Sequence, residues 1–165
     1  MSALGFRCLA VAVCVTFGLA VLEAAAGPAE IAQIKPRQDK LRDMGGAQKA
    51  INDEIKKGRI DWDNTVIPNA QTIKDRSAYL LNWFPKGSGP ETGKKTYALP
   101  AIWQKNDDFV KLGKAVQGEA AKLNQVALSK DGNALKAQME ALGKACKACH
   151  DSYRSPDYEK ENEDE

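Results

Sequence analysis

Residues 134–154 read ALKAQMEALGKACKACHDSYR. Ala134, Leu135, Met139, Ala141, Leu142 and Ala145 recur at steps of three and four, the period of an amphipathic helix. On that helix Cys146, Cys149 and His150 occupy positions i, i+3 and i+4, so two thiols and an imidazole share one face. Cys-x-x-Cys-His is the pattern for covalent attachment of a c-type haem. The thiols form thioethers to the vinyl groups and the imidazole ligates the iron. His150 is the single histidine of the chain, and the other two of its four cysteines, Cys8 and Cys14, fall in an apolar N-terminal run.

Other uses of the motif fit less well. A Cys146–Cys149 disulfide is compatible with an exported chain. A thioredoxin-like redox pair needs a βαβ setting, which the sequence does not offer. Structural zinc wants about four Cys, His or acidic ligands, and no second cluster accompanies the first.

Residues 1–26 have the form of a secretory signal: Arg7 as a short basic start, an apolar run from Cys8 to Leu22, and Ala24, Ala25 and Ala26 as a cleavage site before Gly27. The run is short for a membrane span. The expected product is periplasmic, with no membrane insertion of the mature chain, one haem-binding domain over 27–156 and an acidic disordered tail over 157–165. The tail holds six acids and one lysine, while the whole chain carries a formal net charge of +2. Basic residues are spread over helical faces without interleaved aromatics, which argues against nucleic acid and suits solvation or the docking of an acidic redox partner.

Four helical stretches emerge and no strand does. The first runs from about Ile31 to Lys57 with the stripe Ile34, Leu41, Met44, Ile51 and Ile55, and Gly58 stops it. The second runs from about Asn64 to Trp83, capped by Asp63, with Ile67, Ala70, Ile73, Ser77, Leu80 and Phe84 inward. Pro68 requires this helix to start or bend near it. A Gly- and Pro-rich loop from Pro85 to Tyr97 follows. The third helix starts at Pro100 and carries Ile102, Phe109, Leu112, Val116, Leu123 and Val126. Asp131-Gly132 turns the chain into the fourth, which Pro156 ends. Four amphipathic helices with mostly short links predict an all-α fold, an antiparallel up-down-up-down four-helix bundle. Trp62 and Trp83 are expected at its boundary, and Trp103 in packing.

At this point the chain resembles the class II cytochromes c, the cytochrome c′ family. The resemblance covers about Arg37 to Arg154. It rests on the C-terminal position of the motif and its continuation Cys-Lys-Ala-Cys-His-Asp-Ser-Tyr-Arg (146–154), on Ala-Leu-Pro-Ala-Ile-Trp (98–103), on Arg37-Gln38, and on Phe84-Pro85. It implies one covalent haem c per chain, held by Cys146 and Cys149 with His150 as the proximal iron ligand. It places Arg37, with Gln38 beside it, near a haem propionate, where a cation suits the carboxylate. It places Arg154 beside the proximal pocket.

The other side of the iron divides this family at the position four residues after the helix-one arginine. Here that is Leu41, which cannot ligate, so the resemblance implies five-coordinate, high-spin iron under an apolar lid. The alternative is a six-coordinate, low-spin electron carrier with Met44 as the sixth ligand, three residues on along roughly the same face. An open site admits NO and CO, and Leu41 offers dioxygen no hydrogen bond. A peroxidase would need a distal acid–base group, which neither a second histidine nor an acid near Leu41 supplies, so no enzymatic activity is expected. A haem-free bundle with one disulfide is the third class. The redox partner is not identifiable from sequence. A homodimer through the first two helices is common in the family.

Overall fold

The lengths of the helices and the residues that end them follow from local chemistry. In the computed structural model, described over residues 27–162, a single turn α1 (Pro28–Ile31) precedes α2 (Ile34–Lys57). Pro36 is the third residue of α2, where its missing N–H costs no helical bond. Along α2 the buried residues are Ile34, Arg37, Met44, Ala47, Ile51 and Glu54, spaced by threes, fours and one seven. Gly58 ends the helix in the left-handed region at φ 70°, a position that Cβ-bearing residues resist.

The second helix is divided where Pro68 demanded it. A π-helical turn, Trp62–Val66, leads into α3 (Ile67–Ala78), and Pro68 lies in the first turn of α3, where its lost N–H is an orphan donor in any case. The cap is Asp61, not Asp63. Its side chain accepts from the Asn64 N–H at 3.0 Å, while Asp63 points outward to Lys130 at 2.8 Å. After α3 the chain tightens to a 3₁₀ turn, Leu80–Trp83.

The third helix is also divided, into α4 (Ala101–Gln104) and α5 (Asn106–Ser129), with Lys105 between them out of helical conformation. The two pieces serve different neighbours. Trp103 in α4 donates its indole N–H to the carbonyls of Phe84 and Pro85, whereas Phe109 in α5 packs edge-to-face on Tyr153. At the end of α5 Lys130 takes the left-handed conformation, at φ 56°. Asp131 then caps α6 (Gly132–Tyr153) by accepting from the N–H groups of Asn133 and Ala134.

Helices adjacent in sequence pack on one another, α2 on α3, α3 on α5 and α5 on α6, and α6 closes against α2. The result is the four-helix bundle. Its main core holds Met44, Ile51, Ile73, Val116, Leu123, Leu135, Met139 and Leu142, all nearly sealed from water. Such side chains contribute about 1.5–3 kcal/mol each relative to exposure. A smaller cluster, Ile102, Phe109 and Tyr153, sits at the end of the bundle that carries the Cys-x-x-Cys-His motif. Phe84 packs against both. Trp83, expected at the boundary, is buried in the main core with Lys40 over its ring.

One expectation changes at the C-terminus. Residues 157–162, expected to be disordered, form a short helix, α7 (Asp157–Asn162), because Glu161 and Glu159 find cationic and phenolic partners on the body of the protein. The extended segment after α6 makes an isolated antiparallel bridge between Ala98 and Arg154, the one strand-like pairing among the described residues. The expected signal segment, 1–26, lies outside the described residues, as do residues 163–165. No helix among those described is long and apolar enough to cross a membrane.

Candidate haem site

The buried stripe of α6 changes character at the motif. Leu135, Met139 and Leu142 are sealed in the core, and Tyr153 at the far end of the helix is 4% exposed. Between them, at positions the same period assigns to the inner face, Cys146, Cys149 and His150 are only half-buried. Cys146 packs on the main core and Cys149 on the smaller cluster. The inner face of α6 is thus apolar on both sides of the motif but incompletely covered at it. A flat apolar group attached to the two sulfurs would complete that cover. Both thiols are free.

Burial acts on all three groups of the motif. Burial pushes the thiols up, Cys149 to about 11. Burial also pushes His150 down to about 4, with the Arg154 charge adding to the effect and Asp151 and Glu159 opposing it. His150 is therefore neutral at physiological pH and keeps a lone pair for a metal. The donor set of two thiols and one neutral imidazole on one helix face fits a covalently bound haem. Among the described residues no cluster of three or more His, Cys, Asp or Glu could hold an ion such as zinc.

Arg37 is fully buried, at 2% exposure. Its guanidinium donates to the hydroxyl and carbonyl oxygens of Ser88 and to the Thr96 hydroxyl, each at 2.8 Å, and lies 4.8 Å from the centre of the Phe84 ring. Burial lowers it to about 10, against the pull of Glu91. Gln38 donates to the Lys95 carbonyl at 3.1 Å. The residues assigned to a propionate therefore anchor the 85–97 loop. That loop in turn is stitched to the end of α6, since Leu99 N–H donates to the Tyr153 carbonyl and Ser155 N–H to that of Tyr97.

Leu41 is half-buried against the main core, the cluster that Cys146 also packs on, and Met44 is inside that cluster at 8% exposure. Arg154 does not continue the helix face of His150. It is the cap residue in extended conformation, its N–H bonded to the His150 carbonyl at 3.0 Å. Its side chain pairs with Glu159 at 2.7 Å and lies over Tyr158.

Several contributors carry no signal in a single sequence. Ser88 and Thr96 look like ordinary loop residues. Glu159 looks like one acid among many. Tyr153, whose hydroxyl donates to Asp108 at 2.8 Å, was within reach of the helical period, three residues beyond His150.

The model of the family described as Cytochrome C′ matches residues 32–154. The cytochrome c-554 of Cereibacter sphaeroides is 43% identical over 74 residues, which is 45% of this chain and about half, 48%, of that protein. A cytochrome c′ from Rhodopseudomonas palustris is 35% identical over 143 residues, 84% of this chain and 92% of that one. Among solved structures, cytochrome c′ from Thermochromatium tepidum superimposes with a TM-score of 0.72 at 28% identity, covering 79% of this chain and 99% of that one. Nitric oxide complexes of variants of the Alcaligenes xylosoxidans cytochrome c prime superimpose with TM-scores up to 0.68 at 27% identity, covering 76% of this chain and up to 96% of theirs. With the match spanning every helix from α2 to α6, the chain belongs to the cytochrome c′ family, whose members carry covalently bound haem c.

Proposed function

We propose that this chain is a periplasmic, non-enzymatic haem protein of electron-transfer and gas-binding type, with Cys146 and Cys149 as the attachment sites and His150 as the proximal ligand. The observation that carries the reading is the incompletely covered stretch of α6 at Cys146, Cys149 and His150, apolar on both sides. The bound haem supplies a one-electron couple and a metal that diatomic gases can ligate. The chain's part is to hold it by two thiols, present a neutral imidazole, and exclude water with residues of both clusters.

Leu41 leaves the far side of the site without a protein ligand, which supports five-coordinate, high-spin iron. Met44, the competing sixth ligand, belongs to the same buried core cluster as Ile51 and Met139, and ligation would withdraw it from that packing. An apolar lid without a hydrogen-bond donor disfavours dioxygen relative to NO and CO. The nitric oxide complexes of the Alcaligenes xylosoxidans relative support this reading. The electron partner is a one-electron redox protein, and a second copy of the chain can pair through α2 and α3.

The test is the absorption spectrum of the holoprotein expressed with export, oxidised and reduced, with and without CO. A broad high-spin spectrum with a Soret shift on CO is expected. A sharp low-spin spectrum that CO leaves unchanged would replace Leu41's open site with ligation by Met44.

A further inference from the structure

We propose that α7 is a clasp in which Glu159 and Tyr158 act as positioning residues, fixing and neutralising the Arg154 guanidinium next to the proximal side of the haem site. The inference rests on the assignment of His150 as the proximal ligand made above.

The clasp is built from several independent contacts. Glu159 pairs with Arg154 at 2.7 Å, and the guanidinium carbon lies 4.4 Å from the centre of the Tyr158 ring. Tyr158 is itself held edge-to-face by Tyr97, with ring centres 5.1 Å apart. The Tyr97 hydroxyl donates to Glu161 at 2.7 Å, and Lys95 pairs with the same carboxylate. Tyr97 belongs to the segment stitched to the end of α6. The acidic helix therefore returns to the segment that leaves the motif helix.

Arg154 is the cap of the helix that carries His150, and its side chain is three-quarters buried. Its N–H donates to the His150 carbonyl at 3.0 Å, so Arg154 and the Glu159 paired with it bring charges of opposite sign to the end of α6 that carries the imidazole. A buried cation interacts more strongly than a solvated one, so an unpaired Arg154 favours whichever state of the site carries one more electron. Reduction adds one electron from a one-electron donor, and the charge of the site falls by one. By pairing the guanidinium, Glu159 holds the midpoint potential below the value that a bare Arg154 would set.

The experiment is a mediated spectroelectrochemical titration of the full-length holoprotein and four variants: Glu159→Gln, Arg154→Gln, the double variant, and Asp53→Asn. Asp53 is on α2 and loses the same charge far from the motif. A fifth variant ends after Pro156. The expected result is a higher potential for Glu159→Gln and for the shortened chain, a lower one for Arg154→Gln, and no change for Asp53→Asn. In the Arg154→Gln background the effect of Glu159→Gln falls by more than half, because Glu159 acts through Arg154. A Glu159→Gln shift no larger than that of Asp53→Asn overturns the clasp, and so does a shift that survives undiminished without Arg154. A parent without a covalent haem spectrum removes the underlying assignment and the clasp with it. A normal parent spectrum with unmoved potentials removes the clasp alone.

Discussion

Arg37 grips Ser88 across 51 positions of sequence, donating to both its hydroxyl and its carbonyl oxygen at 2.8 Å. The arginine sits on α2, and the serine lies in the loop between the second and third helices of the bundle. Both are buried, so the pair closes over one end of the bundle. Arg37→Met keeps the bulk but leaves a carbonyl and two hydroxyls with fewer donors. Hydrogen bonds to a charged donor contribute about 1.5–3 kcal/mol. The expected loss is about 2–3 kcal/mol in urea unfolding of the holoprotein. Arg37→Lys recovers little of it, because an ammonium cannot span Ser88 and Thr96 as a planar fork does.

The proposed placement of Leu41 over the open side of the iron is testable by exchange. Leu41→Met puts a thioether on the half-buried side chain facing the main core, and a low-spin spectrum with weakened CO binding is the expected outcome. Met44→Leu conserves volume in a packed core and costs under about 1.5 kcal/mol. The high-spin spectrum is unchanged in that variant if Met44 is a core residue; a change from low to high spin would identify it as the ligand.

Gly45 and Gly46 lie in the middle of α2, and a Cβ built at either meets nothing within 4 Å. Alanine at each therefore stabilises by about 0.5–1 kcal/mol through reduced backbone entropy of the unfolded chain. Gly113 on α5 behaves oppositely. A Cβ there runs into the side chain of Leu81, so Gly113→Ala gains nothing or destabilises. Thermal melts of the three single variants separate the two cases.

Glu54 gives the fold an acid-sensitive joint. Its carboxylate accepts from Lys57 at 2.7 Å and from the Asp61 N–H at 2.9 Å, tying the end of α2 to the π-helical turn. The Lys57 hydrogen bond, then the Asp61 N–H, hold its pKa below the ordinary 4.5. A depressed folded-state pKa contributes stability above the unfolded value, and that contribution is lost as pH falls from 4.5 through the folded-state value. Glu54→Gln lowers the melting temperature at pH 7 and flattens its acid dependence below pH 4.5. An unchanged acid limb in the variant would assign the sensitivity to other carboxylates.

The periods of the apolar residues were enough to predict the bundle, since Ile34, Ile51, Ile73, Leu123 and Leu135 are buried where the three-and-four spacing puts them. Helix interruptions were less legible. The divisions at Trp62–Val66 and at Lys105 depend on what each piece packs against, and the capping role went to Asp61 because its geometry, unlike that of Asp63, reaches a free N–H.

What sequence alone determined was local: the helical period, the left-handed stop at Gly58, and the convergence of Cys146, Cys149 and His150 within five residues on one face. Each follows from the chain's own geometry over one or two turns, so neighbours can be read without knowing the fold. The tertiary structure decided which distant groups meet. Arg37 with Ser88 and Thr96, Tyr153 with Asp108, and Arg154 with Glu159 and Tyr158 are contacts that packing creates. Charge and hydrogen-bonding capacity are visible in a sequence, but a partner is chosen by distance, and distance is set only when the helices are packed.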